Sequence, residues 1–171
     1  MTSALLWLPV MLAIQTSTPA ADGELPNWLL GNWAGKGALF EQPANMSLSV
    51  CPETGDRGLT LDYQVTGEGN PAIHFTGQAD YIPDGKNRWR GRWIGSNGVA
   101  HDLTALASDD SFVATWKNAA VETGRTHYQG IAPGQLRVTD YVLRDGGRFE
   151  QFASAEYARN SACPALTKKG Q

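Results

Sequence analysis

From Trp33 onward the chain lacks any stretch in which apolar residues recur at three- and four-residue spacing. That absence removes the crossover helices that a parallel sheet would need. Cysteine is scarce: only Cys51 and Cys163 occur, far apart, so there is no CxxC redox or zinc signature. The three histidines, His74, His101 and His127, stand alone, with no HxH or HExxH spacing, and no metal site is expected. Positive charge is not in excess either. A formal net charge of -3 argues against nucleic-acid binding, which usually demands a clearly basic face, and leaves only a local basic stripe open. No glycine-rich loop opens a helix, which excludes nucleotide enzymes of that kind.

One apolar run exists, from Ala4 to Ile14, followed by small and polar residues with Thr18 and Ala20 placed for signal peptidase. It is shorter than the roughly 20 residues a membrane helix needs and resembles a secretory leader. The expected organisation is a signal peptide at 1–20, one domain at 21–160 and a flexible tail at 161–171. Export to the periplasm or extracellular space follows, with no stable membrane span once the leader is removed. In such a compartment a cysteine pair bridges more often than it stays free. A Cys51–Cys163 disulfide would close a long loop and tie the tail to the rest of the fold.

What the sequence has in abundance is alternation. Short segments of period two recur every ten to fifteen residues, separated by turn chemistry such as Pro83-Asp84-Gly85 and Ser96-Asn97-Gly98. In Gly58–Val65, for example, Leu59, Leu61, Tyr63 and Val65 alternate with Thr60, Asp62 and Gln64. Ten strands are expected, at about 33–41, 45–51, 58–65, 73–82, 87–95, 99–107, 112–117, 121–131, 136–143 and 149–158. Ahead of them, Pro26-Asn27 could start a helical turn that plugs one end. An open sheet of this size would leave two long unpaired edges, so the expected fold is an all-β, antiparallel up-and-down barrel. A two-sheet sandwich would satisfy the same pattern. A ten-strand barrel is wide enough to leave an internal cavity.

Gly31-Asn32-Trp33 at the opening of the first strand resembles the glycine, any residue, tryptophan signature of the lipocalin and calycin barrels. In that superfamily the tryptophan packs across the barrel floor. The G-x-W-x-G-x-G opening, Gly31 to Gly37, with the meander through Tyr157, is similar to bacterial lipocalin-like families of unknown function and, more distantly, to nitrobindin-like haem-binding barrels. The latter ligate haem through a histidine near the chain end. The final strand here has none, so haem is not implied and no cofactor is expected. Ala114-Thr115-Trp116-Lys117-Asn118 resembles a strand of the avidin-like barrels, which share this architecture.

Two stretches carry the candidate site residues. In Arg88-Trp89-Arg90-Gly91-Arg92-Trp93, strand geometry places the arginines on one face and Trp89 and Trp93 on the other. The arginines either form an anion-attracting stripe or pair with carboxylates of neighbouring strands near Asp80 and Asp102, and the pairing is favoured. In Glu122–Tyr128, Glu122, Thr126 and Tyr128 share one face, opposite Arg125 and His127. With His101 and Asp140 on the apolar-facing positions of their own strands, these groups either form a register-fixing polar network or converge for acid–base work. The expected cavity is lined by Trp33, Tyr63, Phe75, Tyr81, Trp89, Trp93, His101, Trp116, Glu122, Tyr128 and Asp140, and takes a small apolar or amphipathic molecule as its partner. An isomerase or hydrolase using Glu122, Asp140 or His101 is the competing expectation, and a structural module of the cell envelope is the third. A monomer or weak dimer is expected.

Overall fold

A computed structural model of the protein describes residues 26–53, 58–69 and 71–164. The expected signal peptide at 1–20 and most of the expected tail, residues 165–171, lie outside the described residues. Ten strands follow one another: β1 (Gly31–Leu39), β2 (Gln42–Pro52), β3 (Leu59–Gly67), β4 (His74–Pro83), β5 (Arg88–Gly95), β6 (Ala100–Ala107), β7 (Ser111–Asn118), β8 (Glu122–Ala132), β9 (Gln135–Arg144) and β10 (Arg148–Ser161). Each pairs with its sequence neighbour, and β1 pairs with β10, so the sheet is a closed antiparallel barrel. The barrel, not the sandwich, is the fold.

Closure runs from Asn32 opposite Ser161, through a register shift before Trp33, to Leu39 opposite Ala153. Because the side-chain period of a strand is two, closure commits one face of every strand to the interior. Those residues are the apolar ones: Ala44, Met46, Leu48 and Val50 on β2, and Leu136, Val138 and Val142 on β9, are all buried. The arginines of β5 point outward, as their alternation requires. Their expected partners need correcting. Arg88 and Arg90 approach Asp84 of the preceding turn at 3.9 and 3.8 Å, while Arg92 sits in register between Asp80 and Asp102 without an ion pair among the described residues. The β4–β5 turn brings Asp84 to the arginines from their own hairpin, and such exposed pairs contribute about 0–1 kcal/mol each.

The two ends of the barrel differ. At the end where β1 begins and β10 finishes, the lead segment closes the floor, with a turn that Leu29 N–H makes to the Pro26 carbonyl at 2.8 Å. Leu29 is buried, and its carbonyl accepts the Trp33 indole N–H at 3.0 Å. The Arg159 guanidinium lies 4.6 Å over the Trp33 ring and donates to the Trp28 carbonyl at 2.7 Å. Trp89, Phe112, Leu59 and Leu136 fill the space above. At the same end Cys51 and Cys163 form a disulfide, 112 residues apart in sequence. It fastens the segment just after β10 to the end of β2.

The opposite end carries the turns β1–β2, β3–β4, β5–β6, β7–β8 and β9–β10. The first is a two-residue hairpin in which Phe40 and Glu41 both have positive φ, 49° and 64°. That geometry matches the twist of the flanking strands but disfavours residues with a Cβ, at a cost of order 1 kcal/mol each.

Reduction of the Cys51–Cys163 bond is expected to lower the unfolding free energy by about 4–5 kcal/mol, since it frees a loop of more than ~100 residues. Urea denaturation with and without reductant measures this; an unchanged midpoint would contradict it.

Candidate functional site

The interior is solid at the floor and hollow towards the turn-rich end. The hollow half encloses a cavity of about 350 Å³, within the size range of small-molecule sites. Its walls are mainly aromatic. Trp93 stacks on Phe75 with ring centres 6.3 Å apart and tilts against Tyr63 at 6.2 Å. Across the barrel, Trp116 meets His101 edge-on at 5.3 Å and Phe152 at 6.4 Å.

Glycines seat these rings. A Cβ on Gly77 would fall within the indole of Trp93, and one on Gly124 within that of Trp116; one on Gly95 would stand 2.8 Å from the Phe75 ring. Each glycine is on the strand beside its aromatic and faces inward with it. A large ring laid over a neighbouring backbone occupies the wall and leaves the middle open.

The polar groups cluster on one side. Trp116 Nε1 donates to Thr126 Oγ1 at 3.2 Å, and Thr126 Oγ1 donates to Asp140 Oδ1 at 2.6 Å. Asp140 shows some surface, but that surface faces the cavity and protein surrounds it on all sides. Burial therefore raises its pKa to about 6, against a partial lowering by the Thr126 hydrogen bond. The phenols of Tyr63, Tyr81, Tyr128 and Tyr157 share the cavity. All four are pushed above the ordinary tyrosine range, first by burial, with the Asp140 charge among the further causes. Tyr63 and Tyr157 each donate a hydroxyl to Met46 Sδ, at 3.6 and 3.4 Å. Nearer the mouth, His101 Nε2 lies 3.9 Å from the rim carboxylate Glu122. Neither nitrogen of this buried ring has a hydrogen-bond partner among the described residues. Burial lowers its pKa, partly opposed by Glu122, so the imidazole is neutral near pH 7.

Tyr63, Phe75, Tyr81, Trp93, His101, Trp116, Glu122, Tyr128 and Asp140 border this cavity, whereas Trp33 and Trp89 do not. Both belong to the packed floor, at 2% and 1% exposure. They sit close to the chain turns at the closed end, where every inward position is filled. Among the bordering residues not singled out from the sequence are three aromatics, Phe40, Phe152 and Tyr157. Tyr157 follows the inward alternation of β10 and was legible there. Phe152 is not, because it occupies a register shift between Gln151 and Ala153 that brings it to the cavity beside the inward Ala153. It stacks on Phe40 at 5.4 Å, the two rings standing at the mouth.

Asp140 makes a pH-dependent contribution whose sign is fixed by its raised pKa. Below about pH 3.8 it is protonated folded and unfolded; above about pH 6 it is ionised in both, and the fold carries a penalty of about 3 kcal/mol. The stabilising effect of the protonated form is thus lost as pH rises between those values. Asp140→Asn keeps an acceptor for Thr126 and removes the charge. It is expected to raise stability by up to about 3 kcal/mol near pH 8 and by almost nothing near pH 3.5. Denaturant midpoints of the two proteins at both pH values measure it; a pH-independent difference would contradict the assignment.

No family model matches this chain, and no curated protein does. Among solved structures it is similar in fold to an S-type phycobiliprotein lyase of Guillardia theta, with 10% identity, a TM-score of 0.55, and coverage of 80% of this chain and 91% of that one. A de novo designed fluorescence-activating β-barrel is a further match, at 13% identity and a TM-score of 0.40, covering 78% of this chain and 95% of that one.

Proposed function

We propose that this protein is a lipocalin-like binder of a small, largely apolar molecule, held in the hollow half of the barrel, and that it works in an oxidising compartment after export. The observation that carries the reading is the 350 Å³ aromatic-walled cavity above a solid floor. Apolar walls supply contact area, and a few fixed polar groups orient a guest. The Cys51–Cys163 bond is compatible with export, because such bonds persist outside reducing compartments. The structural neighbour from Guillardia theta is an S-type phycobiliprotein lyase by its name; at 10% identity only its barrel is carried over.

A second reading, acid–base catalysis, is favoured by one observation: the cavity holds a carboxyl group, Asp140, with a pKa of about 6. Such a group exchanges a proton readily near neutral pH. Of the three acid–base candidates Asp140 is the one this reading takes as the base, because its carboxyl lies deep in the cavity and is held by Thr126. Exchange of the α-protons of an apolar ketone into heavy water, lost in Asp140→Asn, would support this reading; no exchange above background removes it.

Binding is tested with the neutral fluorophore N-phenyl-1-naphthylamine. Saturable enhancement of its emission is expected in the wild type. Ala114→Phe, which places a ring in the cavity, should weaken it at least roughly tenfold while circular dichroism stays native. Enhancement that is absent, or indifferent to Ala114→Phe, would overturn the binder reading.

A further inference from the structure

The charges around the cavity point to the chemistry of its guest. Among the described residues its border includes two carboxylates, Asp140 deep and Glu122 at the rim, and no lysine or arginine. Two arginines of the barrel wall lie over rings outside the cavity: Arg125 over Phe149, and Arg159 over Trp33 at the floor. His101, the remaining basic group of the wall, is buried without an acidic hydrogen-bond partner and is neutral.

Asp140 itself is under-served. A carboxylate has room for about four hydrogen bonds, and among the described residues this one receives a single bond, from Thr126. No ion pair reaches it among the described residues. A buried charge without an opposite charge is costly, and it is retained where something else supplies the partner. The cavity it borders is also lined by Trp93, Trp116 and Phe75, and aromatic rings carry negative π-clouds that attract cations and repel anions. The phenols of Tyr63, Tyr81, Tyr128 and Tyr157 add neutral oxygens that accept from an ammonium or N–H group.

We infer that the guest is an organic cation, an aromatic or alkyl amine whose protonated nitrogen sits against Asp140 while its apolar body lies between the tryptophans. This rests on the binder reading above and adds the sign of the charge. A fatty acid or other carboxylate is disfavoured by the same groups, since it would be driven against a like charge with no compensating base.

The test uses three molecules of one shape: 1-naphthylmethylamine, 1-naphthalenemethanol and 1-naphthoic acid, titrated calorimetrically into the full-length protein at about pH 7.5, where an alkylamine is protonated. The amine should bind roughly thirtyfold more tightly than the alcohol, and the acid most weakly. Asp140→Asn should bring the amine to within about threefold of the alcohol, while Glu122→Gln, at the rim, lowers the preference by less. Equal binding of all three, tighter binding of the acid, or a preference removed by Glu122→Gln but not by Asp140→Asn overturns the inference. If the neutral fluorophore binds and none of the three does, the charge assignment falls and the cavity reading stands. If none of the four binds, both fall.

Discussion

Everything in this molecule depends on the pairing of its first strand with its last. Without it, β1 and β10 would each expose a row of unpaired backbone groups and the inward faces of all ten strands would open to water. The pairing needs a close approach, and the sequence provides for it at Gly35 and Gly37. A side chain at Gly37 would run into the backbone of Ser154 and Ala155, and one at Gly35 into the ring of Tyr157. The small residues of β1 therefore serve the seam, where wall meets wall. The disulfide reinforces the same seam at one end, joining the segment beyond β10 to the end of β2.

Once closed, the interior is divided by residue size along the axis. Near the floor, Trp89, Phe112, Tyr81 and Tyr128 pack edge to face, with ring centres 5.3 to 6.3 Å apart. Further up, rings of the same size lie over glycines and hug the wall. The difference between solid and hollow thus comes from what stands beside each aromatic, and not from how many aromatics there are.

Much of the fold was legible in the sequence because alternation with period two is a strong signal when one face is buried. Leu59, Leu61, Tyr63 and Val65 show it plainly, and the turns at Pro83-Asp84-Gly85 and Gly95–Gly98 punctuate it. Asp140, Thr126 and His101 could be assigned inward by the same counting. The distance of a residue from the floor could not. Trp33 and Trp89 share the inward face with Trp93 and Trp116, but height along the barrel depends on strand stagger, which pairing sets and composition does not reveal. Phe152 was hidden for a different reason: an irregular register breaks the parity on which the counting relies. Phe40 was hidden because a turn of positive φ ordinarily signals itself through glycine or asparagine, and this one has neither.

The glycines beside Trp93, Trp116 and Phe75 have a consequence for how such a chamber changes over generations. Each is a notch in which a ring rests, so replacing the notch with a larger residue tips that ring towards the centre without altering any group that touches a guest. The contour of the chamber can then be remodelled from behind its own panelling. Selectivity and fold stability would drift separately, one notch at a time.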